Sequence, residues 1–389
     1  MMTNRGWHFL QIPGPSNTPE RVLRAMGKPT LDHRGPAFGE LVIRLLNDLK
    51  KIFQTEGHVI IYPSSGTGAW EAALTNLFKP GDKVLAYETG HFALLWKTLA
   101  EKIGLDVIWI QGDWRHGVRA AEIEEKLNAD HQRQIKGVMI VHNETSSGIT
   151  SDVQAVRKAL DKVGHEALLL VDVVSSLGTT PFYQDAWGID VAICASQKGL
   201  MMPPGLGFNS INEKAREYAK KINSQQSYWN WEKIIAMNET GYFPYTPASG
   251  LFFGLEESLK MIFEEGLEIL ITRHQRLAAA CRVAASTWGL ENQCLDSKAY
   301  SDSTTALIVP AGHNADELRS TILNQFNMSL GSGLGKLKSK VFRIGHLGDF
   351  NELMLMATLS GVEMGMSLKK ISFQKGGVQA AMEFITKGR

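Results

Sequence analysis

Apolar residues fall along this chain in two rhythms. In the first half, short and nearly unbroken apolar runs lie at 58–62, 83–86, 106–110, 137–141, 168–171 and 191–194. Such runs, bounded by turn residues, predict strands buried on both faces. Between them the spacing becomes helical. Over 67–78 the apolar positions are Trp70, Ala73, Leu74 and Leu77, and the pattern stops at Lys79-Pro80-Gly81. Over 151–163 a Ser/Asp cap precedes a stripe of Val153, Val156, Ala159 and Leu160. Alternating strands and helices of this kind specify an α/β layer fold, with helices on both faces of a mostly parallel sheet.

Beyond about residue 255 the texture changes. Residues 255–288 read as one long helix or a kinked pair. Strand patterns follow at 306–310 and 341–344, with helical patterns at 315–325 and 351–366. The expectation is a large domain over 1–255, including an N-terminal segment, and a smaller α+β domain over 256–389. No internal repeat or low-complexity tract interrupts this plan.

Composition adds mainly exclusions. With 44% hydrophobic and 21% charged residues, the 389-residue chain has the material for two cores. Its 41 Lys plus Arg against 40 Asp plus Glu leave no net field to attract nucleic acid or an anionic membrane. Cys194, Cys281 and Cys294 are too scattered for a disulfide framework or a metal site, which suits a reducing compartment. No run reaches the ~18–20 apolar residues of a bilayer span, and neither terminus carries a signal-peptide core or retention address. A cytoplasmic protein without resident metal is expected.

Four places carry chemistry. Pro63-Ser64-Ser65-Gly66-Thr67-Gly68 stands between a strand and a helix. Unpaired N–H groups at a helix start suit a phosphate, and the same sequence suits a plain Ser/Gly helix cap. Asp172 ends the apolar run Leu168-Leu169-Leu170-Val171. A buried carboxylate needs a partner, which a cationic heterocycle nitrogen could be; a helix cap or a metal are alternatives. Lys198, in Ser196-Gln197-Lys198-Gly199, stands just past another apolar run, where desolvation lowers an amine's pKa and makes it a nucleophile. An ordinary surface lysine is the alternative, although Pro203-Pro204-Gly205 is unusual punctuation for an exposed strand end. Arg343 lies among Val341, Phe342 and Ile344 and suits either a substrate carboxylate or a structural ion pair.

Together these segments resemble the class V, fold-type I aminotransferases, and in particular the serine–glyoxylate and alanine–glyoxylate group. The likeness runs from Pro13-Gly14-Pro15-Ser16-Asn17 through Asp32-His33-Arg34, Ser65-Gly66-Thr67-Gly68 and His142-Asn143-Glu144-Thr145. It continues through Val171-Asp172-Val173-Val174, Ser196-Gln197-Lys198-Gly199 and Tyr245-Thr246-Pro247 to Phe342-Arg343-Ile344-Gly345-His346. The resemblance implies pyridoxal 5'-phosphate held on Lys198 as a Schiff base, with Lys198 also the acid and base of the proton shift. It implies Asp172 on the ring nitrogen, Phe92 and Val174 on the two ring faces, and Thr145 near the ring hydroxyl. Ser65, Gly66, Thr67 and Gln197 would hold the phosphate, and Arg343 the substrate α-carboxylate. It also implies a homodimer with shared active sites, in which Thr246 completes the partner's phosphate site. Phe243 replaces a Tyr common in the family, leaving Tyr242 or Tyr245 as its substitute.

The implied reaction is ping-pong amino transfer from a small amino acid, serine first and alanine or aspartate as rivals, to glyoxylate or a similar 2-oxo acid. An aspartate donor calls for a second cation, for which His33, Arg34 and His346 are the sources. A lyase or desulfurase of the same fold needs a mobile nucleophilic Cys, which the positions of Cys194, Cys281 and Cys294 do not suggest.

Overall fold

The computed structural model describes residues 6–222 and 226–387. Residues 1–5 and 388–389, part of the termini on which the expectation of no targeting signal rests, lie outside the described residues. In chain order the strands are β1 (Phe9–Gln11), β2 (His58–Ser64), β3 (Lys83–Tyr87), β4 (Asp106–Ile110) and β5 (Ile135–Val141). A short hairpin, β6 (Asn143–Glu144) and β7 (Ile149–Thr150), precedes β8 (Leu168–Asp172), β9 (Val191–Ala195) and β10 (Gly205–Ile211). The last four are β11 (Glu291–Asn292), β12 (Thr304–Ile308), β13 (Met328–Ser332) and β14 (Val341–Gly345).

Seven strands form the large sheet in the order β2-β10-β9-β8-β5-β3-β4, with only β10 running against its neighbours. The six apolar runs read from the sequence are the six strands that run the same way, each within two residues of its expected ends. The side chains of β5, β8 and β9 are nearly all buried, as central strands covered on both faces require, whereas edge strand β4 buries only Ile110. β10 was not anticipated. Its sequence, Gly205-Leu206-Gly207-Phe208-Asn209-Ser210-Ile211, is rich in residues that strands disfavour. Tertiary contacts override that preference: buried Asn209 donates to Ala69 O and accepts from Tyr62 Oη and Trp231 Nε1.

The second sheet has the order β1-β13-β14-β12-β11. β1, from the amino terminus, pairs in parallel with β13, so the chain's start is woven into the carboxyl-terminal sheet. Residues 255–288 resolve as two helices, Ser249–Glu265 and Leu267–Trp288, broken at Gly266 with φ +88°. The apolar core around the large sheet extends to Leu270, and the core around the second sheet begins at Leu277. Leu267–Trp288 therefore bridges both layers. Among the described residues no helix is long and apolar enough to cross a membrane.

Candidate active site

The parallel strands of the large sheet end on one side, the edge where open α/β sheets place ligands. A cavity of about 270 Å³ opens there, lined by Ser65, Gly66, Thr67, Phe92, Thr145, Asp172, Val174, Gln197 and Lys198. Nine of the sequence-selected residues thus converge from the ends of five strands, β2, β3, β5, β8 and β9. Gly14, Pro15, Trp70, Val141, Asn143, Ser175 and Pro204 complete the wall.

One end of the cavity is the start of helix Gly66–Leu77. Its N-cap, Ser65, makes no side-chain capping bond, so the first-turn N–H groups at Gly66 and Thr67 are not satisfied by it. Beside it, Gln197 Oε1 is buried without a partner. An unpaired buried acceptor next to uncapped donors marks a place built for something polar.

Asp172 is 4% exposed. Its Oδ1 accepts from Val174 N at 2.7 Å and its Oδ2 from Trp70 Nε1 at 2.9 Å. Burial pushes its carboxyl up to about 7 and Glu144 adds to this, while the Val174 and Trp70 donors and Lys198 oppose it.

Lys198 is 8% exposed, which removes the ordinary surface-lysine reading. Burial lowers its ammonium to about 7, helped by Arg343 and opposed by Asp172 and Glu144. Its Nζ donates to Pro13 O, and the N-terminal segment is pinned to the same turn by Ser16 N to Gln197 O and Ser16 Oγ to Lys198 O, both 2.9 Å. The following Gly199 is dictated by packing. A Cβ there would sit 2.1 Å from Leu177 O.

Arg343 does not line the cavity directly; its Nη1 donates to Thr145 O at 2.9 Å and its Nε to Ser332 O at 2.7 Å. Both acceptors are neutral. Among the described residues no carboxylate forms an ion pair with it, although it is 7% exposed. The structural ion-pair reading is therefore not what is found. Burial lowers its guanidinium to about 10, against Glu144.

Glu144, unremarked in the sequence, accepts from Phe92 N and Ala93 N, both 3.1 Å to Oε2, and from Ser146 N and Oγ. It caps helix His91–Lys102 from another element and so fixes Phe92 at the cavity wall. No local capping pattern reveals this, because the cap is 52 residues away in sequence.

Other expectations resolve less directly. Thr246 is exposed and outside this cavity. Tyr245 donates its hydroxyl to Ile61 O at 2.9 Å, Tyr242 packs beside Gly39, and neither reaches the cavity wall; Phe243 is buried. Of the suggested second cations, His346 is fully buried, bonded to Thr305 and Asp302 O, and held neutral with its pKa lowered to about 3. His33 and Arg34 lie outside the cavity lining. Cys194, Cys281 and Cys294 are buried, their thiols are pushed up by burial, and none lines the cavity.

Comparison with known proteins agrees with this geometry. Residues 8–336 match the family model Aminotransferase class-V. The chain is 44% identical over 387 residues to a serine–glyoxylate aminotransferase of Methylorubrum extorquens, covering 98% of this chain and 96% of that protein. It is 42% identical to an L-aspartate–glyoxylate aminotransferase of Paracoccus denitrificans, over 96% of this chain and 94% of the other. The ureidoglycine–glyoxylate aminotransferase of Bacillus subtilis superposes with a TM-score of 0.91 at 25% identity, over 99% of this chain and 100% of that one. By sequence, fold and full-length coverage, the chain belongs to the class V aminotransferases and is a transaminase.

Proposed function

We propose that this transaminase uses pyridoxal 5'-phosphate to move an amino group from L-serine to glyoxylate, as a cytoplasmic homodimer. The observation that carries the reading is Lys198 and Asp172 facing one buried cavity that ends on an uncapped helix start. The residues fit the cofactor. The uncapped N–H groups and the orphaned Gln197 Oε1 lie where a monoprotonated phosphate would satisfy both donors and acceptor. A Cβ at Gly66 would press on Val174 Cγ2 at 3.0 Å, so glycine there leaves the Val174 side chain in place on the cavity wall.

Bound there, the cofactor supplies an aldehyde that takes up amino groups and a ring that draws electrons from the carbon bearing them. Ser65, Gly66, Thr67 and Gln197 would hold its phosphate, Phe92 and Val174 would confine its ring, and Thr145 would hydrogen-bond the ring hydroxyl. Asp172 stabilises positive charge at the ring nitrogen. Lys198, an amine that loses its proton near neutrality, anchors the cofactor and then carries a proton at Nζ away from and back to the substrate. Arg343 binds the α-carboxylate with the guanidinium positions not spent on Thr145 O and Ser332 O. Thr246, exposed on this chain, would reach the phosphate site of a second copy. Three free cysteines suit the reducing cytoplasm.

Serine is proposed ahead of aspartate because, among the described residues, Lys198 is the only cation lining the cavity and Arg343, bonded to the lining residue Thr145, is already assigned to the α-carboxylate. A donor screen with glyoxylate as acceptor tests this. Serine should bleach the visible cofactor band fastest; a faster response to alanine or aspartate would reassign the donor. Arg343→Lys should raise KM for both donor and acceptor about tenfold to a hundredfold, because one point charge replaces a planar fork. The cofactor's own absorbance should be unchanged. Equal KM values in variant and wild type would remove Arg343 from the substrate site.

A further inference from the structure

Trp70 reads in the sequence as one apolar position of a helical stripe. In the fold it stands about one turn after Gly66, on the cavity side of its helix. We infer that Trp70 is a positioning residue for Asp172: its indole N–H, donated to Oδ2, fixes the carboxylate's orientation and favours its ionised form toward the ring nitrogen. The inference rests on the reading of Asp172 given above and assigns a further residue to that role.

The geometry supports it in three ways. Each Asp172 oxygen receives one donor, Val174 N on Oδ1 and Trp70 Nε1 on Oδ2, so the carboxylate cannot rotate without losing both. Each oxygen still has a lone pair to offer the cavity. An indole N–H can only donate, and such a bond is shorter and stronger to a charged acceptor, so it works against the proton that burial would place on Asp172. Finally, Trp70 has little freedom to swing away. It is 3% exposed and stacked on Trp96 with ring centroids 5.7 Å apart and planes 14° from parallel.

Other groups around Asp172 do not supply this function. Glu144 opposes the charge and Lys198 favours it, while Arg343 lowers Lys198. On adjoining segments, His142 is held neutral by burial, which lowers it to about 4, and the Cys194 thiol is pushed up. Among the described residues, Trp70 is the one side chain that donates a hydrogen bond to the carboxylate. Trp96 is a built-in control: it shares the stack and the burial, yet its Nε1 has no partner.

The test compares wild type, Trp70→Phe and Trp96→Phe. Infrared titration of the apoprotein, with Asp172→Asn to identify the band, follows protonation of the buried carboxyl. Absorbance titration with pyridoxal 5'-phosphate follows cofactor affinity. Loss of one hydrogen bond to a charged group should move the Asp172 midpoint of Trp70→Phe up by about one to two pH units and weaken cofactor binding about tenfold. Trp96→Phe should leave the midpoint in place. No shift in Trp70→Phe, or an equal shift in both variants, would overturn the inference. If Trp70→Phe does not fold, benzothienylalanine at position 70 keeps the fused ring and lacks only the N–H, with the same outcomes. Failure of the wild type to bind cofactor would instead defeat the reading of the site, while the apoprotein titration would still decide whether Trp70 controls Asp172.

Discussion

A Lys198→Ala variant should lose amino transfer by about ten-thousandfold, the upper end of what a positioned acid–base group contributes. The loss should appear in the half-reaction with serine, followed by absorbance in a single turnover. Two features concentrate this effect on one residue. Among the described residues Lys198 is the only basic side chain lining the cavity, and the turn that carries it is locked by Ser16 and by the contact of its Nζ with Pro13 O. A replacement therefore leaves no neighbour able to do its work, and a small external amine should restore part of the rate.

The same lysine imposes a pH dependence whose sign is fixed by its environment. Burial brings its ammonium from 10.5 to about 7, so the nucleophilic amine appears as pH rises through neutrality. Cofactor uptake by the apoprotein should quicken across that range and level off above it. Stability follows by linkage. Between about 7 and 10.5 the unfolded chain holds a proton that the folded chain has released, so this group's contribution to stability is lost as pH falls through the folded value. Lys198→Ala should flatten that part of the profile.

The second large effect is at Asp172. Asp172→Asn keeps the size of the side chain and removes the charge that would face the ring nitrogen. Turnover should fall about a thousandfold, comparable to removing one preorganised electrostatic group elsewhere in catalysis. Cofactor binding should survive, because the proposed phosphate site at Ser65, Gly66 and Thr67 is untouched. The variant therefore separates binding from reaction: an absorbance titration should still saturate while the half-reaction stalls. Turnover within a few-fold of wild type would take Asp172 out of the chemistry.

Much of this was legible in the residues, for a physical reason. Strands buried on both faces must be apolar throughout, so β2, β3, β5, β8 and β9 announce themselves, and the polar residues at or just past their ends stand out; edge strand β4 shows through its apolar run Val107-Ile108-Trp109-Ile110. Asp172 and Lys198 are conspicuous because a charge at a buried strand end needs a reason. β10 was hidden because Asn209 and two glycines are stabilised there by partners distant in sequence. β1 was hidden because three residues pairing with β13 leave no periodic signature. The same logic separates the site residues. Glu144 and Trp70 look like a loop acid and a stripe aromatic until folding brings them to Phe92 and Asp172. Thr246, suggested by family likeness alone, lies outside this chain's cavity, and the role proposed for it would need a second copy of the chain.

The most direct measurement is to load the protein with pyridoxal 5'-phosphate, reduce it with borohydride so that the cofactor becomes permanently attached, and map the modified peptide by mass. The label is expected on Lys198 alone, and it should be absent from that peptide after prior incubation with excess serine. Labelling of a different lysine, or of none, would contradict the assignment of this cavity as the site of amino transfer.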